Sequence, residues 1–340
     1  MAAKTLVTGG AGFIGSHVVR GLLDQGRDVR VVLAPGESAA NLDGLDVELV
    51  EADICDAGAV DRAMDGCGVV YHLAAIYAIW MPRRERMYEV NCLGAMNVCW
   101  AALRRSVEKL VFTSSIAAVG HRDDGRPADE TTAFNHLGRH NDYILTKWLS
   151  EEHARTFVRE GLPIVFVNPG GPIGPRDKGP TPTGQLILDI ANGRIPFNLN
   201  TGFGMADVED IAAGHLAAEA RGRVGERYIL CAENLTGREL VRQIRRACGL
   251  PPAALTLPVR PLIPAGDLLE AVADRIGRAP LFTGDSLRYA DHRVFFDNRK
   301  AREELGVNFR PVAQAIERSL RWFAEQGYIT RRRVLRHIQR

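Results

Sequence analysis

Two groups of residues have the types and spacing of a proton-transfer site. Tyr143 and Lys147 lie four positions apart in a stretch with a helical pattern, so both fall on one helix face. An ammonium group below a phenol can lower the pKa of the tyrosine toward the working range. Ser114 and Ser115 follow the apolar residues 110–113, where a hydroxyl can hydrogen-bond a substrate oxygen. Each group has an ordinary alternative, a surface pair or a helix cap, but together they predict acid–base chemistry on a small molecule.

A third group near the start of the chain has the spacing of a phosphate-binding turn. Gly9, Gly12 and Gly15 stand in G-x-x-G-x-x-G spacing directly behind the apolar residues 5–7. In such a strand-to-helix turn the first glycine permits the tight turn and the second lets the backbone approach a pyrophosphate. The third lets helix and strand pack closely, and the helix N-terminus faces the anion. The alternative is a tight turn without a ligand.

Short β-branched segments alternate with amphipathic segments through the first half of the chain. The strands that this pattern predicts are residues 4–8, 29–33, 47–51, 69–72, 110–113 and 164–167. The helices that it predicts are residues 14–25, 57–64, 84–103 and 143–160. This alternation is typical of an α/β fold with a doubly wound parallel sheet, and it predicts a dinucleotide-binding Rossmann domain over residues 1–170.

The character of the chain changes from Gly170 onward. Residues 170–176 and 179–184 are rich in glycine and proline, which predicts loops rather than strand or helix interiors. A smaller, mostly helical substrate-binding region is expected over residues 171–330, with a strand near 228–231 that returns to the main sheet. Its predicted helices are residues 186–191, 238–248, 261–276, 300–305 and 311–326. Residues 331–340 form a basic tail, which we expect to be frayed or docked on the surface.

Composition excludes several classes of function. The 340 residues are 46% hydrophobic and 25% charged with a net charge of +2, which is typical of an ordinary globular enzyme and provides no general field for nucleic acid. No apolar run approaches the roughly 20 residues of a membrane span. The six cysteines contain no C-x-x-C pair, so we expect reduced thiols, a cytoplasmic protein and no metal. His136 and His140 have the spacing of metal ligands on a helix, but no third ligand lies near them in the sequence.

With these motifs in this order, the chain resembles the extended short-chain dehydrogenase/reductase superfamily, the NAD-dependent epimerase/dehydratase family. The resemblance also includes Glu51-Ala52-Asp53-Ile54, His72-Leu73-Ala74-Ala75, Val90-Asn91, Asn168-Pro169 and the run from Asp207 to Ala212. It extends from Lys4 to about Gln326. Residues 170–184 and 225–230 are most similar to the dihydroflavonol-reductase-like group, which includes proteins labelled hopanoid-associated sugar epimerases.

The resemblance implies a role for each matching residue. Tyr143 is implied as the general acid or base, with Lys147 lowering its pKa and holding the nicotinamide ribose. Ser115 is implied, rather than Ser114, as the hydroxyl that orients the reacting oxygen, because it stands five residues before Gly120. Asn91 is implied to support a proton path behind Lys147, or else to be a packing amide. The cofactor-binding residues that it implies are Gly9, Gly12, Phe13, Ile14, Gly15, Asp53, Ile54, Leu73, Ala74, Ala75, Tyr143, Lys147, Asn168 and Pro169.

The residues that would choose between NAD and NADP depart from both patterns of the family. An acidic residue at the end of the second strand binds the ribose of NAD, and a basic residue one position later binds the 2′-phosphate of NADP. Leu33 and Ala34 occupy these positions here. Glu37 could supply a carboxylate for a ribose and Ser38 a hydroxyl for a phosphate. Both cofactors therefore remain open.

We expect a homodimer that oxidises or reduces a small organic molecule. The leading prediction is a ketone or aldehyde reductase, or secondary-alcohol dehydrogenase; the alternatives are a nucleotide-sugar epimerase or dehydratase and a non-catalytic dinucleotide sensor. The resemblance implies pairing through helices 84–103 and 143–160, and Met87, Val90, Leu93 and Val98 would supply the apolar surface. The residues that we expect to border the substrate are Tyr77, Trp80, Ser115, His136, His140 and Phe203, although the aromatic ones could equally pack against helices.

Overall fold

A seven-stranded parallel sheet forms the centre of the computed structural model, which describes residues 4–137, 141–280, 282–291 and 294–339. Its strands are β1 (Lys4–Thr8), β2 (Val29–Leu33), β3 (Glu48–Glu51), β4 (Cys67–His72), β5 (Lys109–Thr113), β6 (Ile164–Pro169) and β10 (Arg227–Leu230). Their order in the sheet is β10-β6-β5-β4-β1-β2-β3. The order reverses between β1 and β4, and ligands of open α/β sheets bind outside the carboxyl ends of the strands at such a point. The predicted α/β class with a doubly wound sheet is confirmed.

Helices cover both faces of this sheet. They are α1 (Phe13–Asp24), α2 (Ala57–Ala63), α3 (Arg84–Tyr88), α4 (Ala95–Arg104), α5 (Asp142–Arg159), α7 (Val208–Arg221) and α11 (Arg299–Leu305). Two apolar layers hold them to the sheet. One lies between the sheet and α2, α4 and α5, and the other between the sheet and α1, α7 and α11. Since the strands are buried on both faces, they consist of nearly continuous apolar residues.

The second region packs around its own apolar core. Its helices are α6 (Pro182–Ala191), α8 (Gly237–Ala247), α9 (Ile263–Ile276), α10 (Gly284–Asp291), α12 (Val312–Glu325) and α13 (Arg332–Ile338). Its short strands are β7 (Gly171–Ile173), β8 (Asn198–Leu199), β9 (Gly202–Asp207), β11 (Glu233–Thr236) and β12 (Thr256–Leu257). Only Gly170 separates the first of these strands from the end of β6, and β10 joins the main sheet beside β6. The boundary at residue 170 stays a prediction.

The loops predicted at 170–176 and 179–184 are wrong in part. Residues Gly171–Ile173 form strand β7, paired in parallel with β9, where glycine permits the sulfur of Met205 to pack closely. Helix α6 begins at Pro182 inside the second glycine- and proline-rich run. Proline is favoured in the first turn of a helix, and the Thr181 hydroxyl accepts a hydrogen bond from Gly184 N to cap it. The basic tail forms α13, with Val334 buried in the core of the second region.

The helix predicted over residues 84–103 contains a π-helical segment, Glu89–Gly94, between α3 and α4. Met87 and Val98, which we expected on a dimer surface, are buried in the monomer, and Val90 is half-buried. Leu93 is exposed, as is Trp100 on α4. Two of the four predicted surface residues are therefore wrong.

Candidate active site

A cavity of about 800 Å³ lies across the carboxyl ends of the central strands. Residues that follow β1, β2, β4, β5 and β6 line one side of it. Residues from α6, from β9 and from the segment after α10 line the other side. The cavity therefore joins the parallel sheet to the second region, and its volume is within the range of small-molecule sites in proteins.

The glycine turn forms one end of this cavity. Gly9 has a φ of +69° and packs so closely on the chain after β4 that a Cβ would lie 2.6 Å from Ala74 N. A Cβ on Gly15 would overlap the Gly9 carbonyl. Helix α1 starts after Gly12 with no side-chain cap, which leaves its first backbone amides available to an anion. The turn thus fits a pyrophosphate, as the spacing predicts.

The chain segment behind this turn is fixed by a buried hydrogen bond. The Thr8 hydroxyl lies 2.8 Å from Nδ1 of His72 and accepts a hydrogen bond from Ala74 N at 3.3 Å. Leu73, Ala74 and Ala75 consequently line the cavity next to Gly9. Phe13 and Ile14, at the start of α1, line it as well.

The part of the cavity that follows β3 contains a carboxylate with defined partners. Asp53 accepts hydrogen bonds from Cys55 N at 2.9 Å and from Arg86 at 2.8 Å. The hydrogen bond from Cys55, followed by the contact with Arg86, holds the pKa of Asp53 below its usual range. Asp53 and Ile54 both line the cavity, which is consistent with the adenine-binding position that the resemblance implies.

The end of β2 contains no charge, but a carboxylate four residues later turns back toward it. Glu37 accepts a hydrogen bond from Ala34 N at 2.9 Å, and both residues line the cavity. The side chain of Glu37 therefore occupies the edge of the cavity where Leu33 and Ala34 provide no group of their own. Ser38 caps its own turn by accepting a weak hydrogen bond from Ala40 N at 3.4 Å.

The predicted catalytic residues line the middle of the cavity together. Ser115, Tyr143 and Lys147 all contribute to its wall. Lys147 is 4% exposed and donates a hydrogen bond of 2.7 Å to the carbonyl oxygen of Thr113. Burial lowers the pKa of this lysine to about 8, against the opposing influence of Glu151. The Ser115 hydroxyl accepts a hydrogen bond of 3.1 Å from Ala117 N.

Helix α5 positions two of these residues because its start is well defined. The side chain of Asn141 accepts a hydrogen bond of 3.1 Å from Ile144 N and caps the helix. Tyr143 and Lys147 then fall one turn apart on the face that looks into the cavity. The ring of Tyr143 lies 4.6 Å from the ring of Tyr77, so an aromatic pair closes one side of the site.

A buried charged network, which the sequence analysis missed, lies beneath the site. Glu151 is 1% exposed, with Arg155 at 2.6 Å and Arg227 at 3.4 Å. Asn168 donates hydrogen bonds to Glu151 at 3.0 Å and to the carbonyl oxygen of Ser115 at 2.9 Å. Asn168 is therefore in the wall behind Ser115, whereas Pro169 lines the cavity itself. The position of Glu151 one turn after Lys147 was the sequence signal for this network.

Asn91 connects the π-helical segment to the site. Its side-chain oxygen accepts a hydrogen bond of 2.7 Å from Ile76 N, and its nitrogen donates to the carbonyl oxygen of Ile76 at 3.0 Å. The same nitrogen donates to the hydroxyl of Thr146 at 3.1 Å. The amide is buried and does not line the cavity. These contacts fix the chain that follows β4 against α5; a role in a proton path stays a prediction.

The residues expected to border the substrate divide into three groups. Tyr77 and Phe203 line the cavity, as does Ser115. Trp80 lies outside it, because its indole donates a hydrogen bond of 2.7 Å to Asp274 on α9. His136 is buried and stacks on His121 with ring centroids 5.1 Å apart, so it does not reach the cavity wall. His140 lies outside the described residues.

The wall opposite the glycine turn is predominantly apolar. Its apolar members include Ile79, Pro172, Leu186, Phe203, Met205, Val294 and Phe296. Asp177 is the buried acid of this wall, where burial raises its pKa to about 6 and Thr181 donates two hydrogen bonds of 2.9 Å to it. Within the described residues, Lys178 is the one cation that lines this wall, and it is exposed.

Three arginines that could have bound a diphosphate do not line the cavity. Arg194 pairs with Asp189 at 3.0 Å, and Arg288 pairs with Asp267 at 2.7 Å and Asp285 at 2.9 Å. Arg176 does not line the cavity either. In the described part of the chain, no cluster of three or more potential metal ligands occurs. Among the same residues, none of the helices has the length and apolar composition to cross a bilayer.

Comparisons with known proteins agree with this arrangement. Residues 5–231 match the model of the NAD dependent epimerase/dehydratase family. The chain is 36% identical to a protein of Synechocystis sp. named putative dihydroflavonol 4-reductase, over 97% of each chain. It is 32% identical to sterol demethylase protein B of Methylococcus capsulatus, over 96% of this chain and 99% of that one. The structure of PA4631, a nucleoside-diphosphate-sugar epimerase from Pseudomonas aeruginosa, superposes with a TM-score of 0.78 at 26% identity, covering 97% of this chain and 100% of that one.

Proposed function

The chain belongs to the NAD-dependent epimerase/dehydratase family and is an NAD(P)-dependent enzyme of the extended short-chain type. We propose that it interconverts a carbonyl and a secondary alcohol on a small apolar molecule. The observation that carries this proposal is the wall opposite the glycine turn. Its lining is predominantly apolar, and the exposed Lys178 is its one cation among the described residues. A diphosphate carries two or more negative charges, which proteins bind with clusters of arginine, lysine or backbone amides. An apolar ketone or alcohol needs none of these.

The residues at the turn and strand ends would hold the dinucleotide. The amides at the start of α1 would bind the pyrophosphate, Asp53 and Ile54 the adenine, and Lys147 the nicotinamide ribose. When bound, the nicotinamide supplies or accepts the hydride. The close approach of Gly9 and Gly15 to their neighbours, which leaves no room for side chains, supports this placement.

Proton transfer falls to the residues in the middle of the cavity. In reduction, the Tyr143 hydroxyl gives its proton to the carbonyl oxygen as that oxygen gains negative charge; in oxidation, its phenolate accepts the proton of the alcohol. The Ser115 hydroxyl donates a hydrogen bond to the same oxygen and orients it. The Lys147 ammonium stabilises the phenolate form of Tyr143, because an adjacent positive charge favours the ionised form.

The relative named putative dihydroflavonol 4-reductase supports a net redox reaction, whereas the likeness to a sugar epimerase supports an alternative. In an epimerase or dehydratase the hydride returns to the same substrate, so the nicotinamide pool does not change. An experiment that separates the two is a panel of apolar ketones, aldehydes and alcohols and of nucleotide sugars, with nicotinamide absorbance and product formation recorded together. We expect a steady change of absorbance with the apolar panel. Conversion of a nucleotide sugar without such a change, and no reaction with the apolar panel, would establish the alternative.

We also propose a homodimer and a cytoplasmic location. Leu93 and Trp100 form an exposed apolar area on the helices expected to pair, with Trp100 packed edge-on against Phe157 at 5.0 Å. Light scattering at micromolar concentration should give the mass of a dimer, and Leu93→Glu should give a monomer. A monomer mass for the unmodified protein would contradict the proposal. All six cysteines are free thiols, which supports a reducing compartment.

A further inference from the structure

The exposed face of helix α9 is apolar. Leu268 and Ile276 are 68% and 60% exposed, and Leu269 and Val272 are also exposed. Leu268, Val272 and Ile276 recur every four residues, so they form one stripe along the helix. A helix on the surface of a globular protein normally turns such a stripe inward, and exposed apolar patches of this kind mark interaction sites.

The orientation of α9 is fixed by charges on its other side. Its acidic side chains all have partners in the protein: Asp267 contacts Arg288 at 2.7 Å, Glu270 contacts Arg84 at 2.7 Å, and Asp274 contacts Trp80 at 2.7 Å. Gly266 and Ala273 are the buried residues of the helix. A Cβ on Gly266 would lie 2.7 Å from Gly284 N, so α9 packs tightly against the start of α10. The apolar stripe therefore cannot turn inward without breaking this set of contacts.

Helix α9 also lies at the edge of the active-site cavity. The indole that α9 binds belongs to the segment of Tyr77 and Ile79, which line the cavity and are themselves partly exposed. Ser286 on the neighbouring α10 lines the cavity as well. Helix α10 thus contributes to the cavity wall, and α9 packs both on α10 and on the segment that contains Tyr77 and Ile79, with the apolar stripe on its outer surface.

The charges bordering the stripe are positive. Arg275 precedes Ile276, and Arg278 follows the end of the helix; both are exposed. The acidic residues of α9 lie on the opposite side, in the contacts described above. A helix with an apolar outer face and arginines at its border is complementary to an anionic lipid surface, where apolar side chains enter the acyl boundary and the cations contact headgroups.

We propose that this face, Leu268, Leu269, Val272 and Ile276 with Arg275 and Arg278, docks on an anionic lipid surface, so that a substrate dissolved in the lipid reaches the cavity. The expectation that the chain has no membrane partner would then be wrong, because the protein would bind the surface of a membrane without crossing it. The docking itself is independent of the proposed function, whereas the delivery of substrate rests on it. The test therefore measures binding without turnover, and its failure is distinguishable from a failure of the proposed reaction.

The test is flotation of the full-length protein with vesicles of phosphatidylglycerol and phosphatidylcholine, and with phosphatidylcholine vesicles alone. We expect the protein to float with the anionic vesicles. The double variant Leu268→Gln/Val272→Gln should reduce binding by at least about tenfold, equivalent to about 1.4 kcal/mol. Arg275→Glu/Arg278→Glu should remove the preference for anionic vesicles. The matched control is Leu49→Gln/Val224→Gln, which changes two other exposed apolar residues, on β3 and before β10, and this variant should bind normally.

Three outcomes overturn the proposal. The first is that the unmodified protein floats with neither vesicle. The second is that the α9 double variant and the control lose binding equally, since this indicates general adhesion. The third is that the protein ignores vesicles while light scattering shows a dimer that Leu268→Gln/Val272→Gln dissociates, because the stripe would then be covered by a second copy. Thermal unfolding of each variant verifies that it folds.

Discussion

Replacement of Lys147 by methionine should stabilise the protein while it removes the activity. The lysine is buried, and its pKa falls from 10.5 to about 8. Since a change of one in pKa corresponds to about 1.4 kcal/mol, holding this ammonium group in the folded protein costs about 3 kcal/mol at pH 7. Methionine has a similar length and no charge, but it loses the hydrogen bond to Thr113, which contributes about 1 kcal/mol. The expected net gain for Lys147→Met is about 2 kcal/mol in the free energy of unfolding.

The dependence on pH has a definite sign. The folded protein binds the proton of Lys147 less tightly than the unfolded chain, so the cost is complete below pH 8. Between pH 8 and about 10.5 the folded protein loses this proton first, and the cost disappears. The advantage of Lys147→Met over the unmodified protein should therefore be largest at pH 7 and shrink steadily above pH 8.

The assay is urea unfolding of the cofactor-free protein at pH 7 and at pH 10. Lys109→Met is the matched control, because Lys109 also donates to a main-chain carbonyl, that of Glu219 at 2.8 Å, in a less buried setting. This control should be less stable than the unmodified protein at both pH values. Finding Lys147→Met less stable at pH 7, or a difference that does not change with pH, would refute the reasoning. Lys147→Met should also lose both turnover and cofactor affinity.

Three further predictions concern the cavity. Tyr143→Phe should lower turnover by roughly 10²–10⁴ while the cofactor Kd, measured by fluorescence titration, stays within a few-fold; near-normal turnover would remove Tyr143 from the proton-transfer role. The unmodified protein should discriminate between NAD and NADP by less than about 100-fold, or roughly 2.7 kcal/mol, and Ala34→Arg should shift binding toward NADP by providing a cation for the 2′-phosphate. A larger preference in the unmodified protein would assign the choice to another group, with Glu37→Gln as the variant that identifies it. Burial raises the pKa of Asp177 from 3.8 to about 6, so the stability of the folded protein falls as the pH rises through this range, and the penalty is complete above about pH 6. Asp177→Asn should therefore gain thermal stability relative to the unmodified protein as the pH rises from 5 to 7.5, and a gain that falls over this range would contradict the burial argument.

The sequence correctly predicted the positions of residues that are brought together by the regular geometry of helices and parallel strands. Tyr143 and Lys147 share a face because an α-helix repeats every 3.6 residues. Gly9 and Ser115 come to the same cavity because the carboxyl ends of parallel strands meet at one edge of the sheet. Neither inference needs the path of a loop.

The predictions that failed depended on loop paths and on contacts between distant segments. Trp80 follows a strand that ends at the cavity, but its side chain lies outside the cavity because its indole donates a hydrogen bond to Asp274 on α9. His136 precedes helix α5 and is buried against His121 instead. Met87 and Val98 are buried in the monomer, and Val98 belongs to the apolar layer between the sheet and α4. Apolar character alone does not distinguish a residue of this core from one of a dimer surface. The network around Glu151 on α5 also depends on a contact between distant segments, because its partner Arg227 lies on β10.

Transfer of label from a nicotinamide deuterated at the reactive carbon tests the central claim most directly. With an apolar ketone as substrate, we predict one deuterium on the new carbinol carbon and one oxidised nicotinamide for each alcohol formed. Tyr143→Phe should slow both in parallel. The claim would be contradicted if no ketone of the panel took up deuterium while a nucleotide sugar was converted with the nicotinamide pool unchanged.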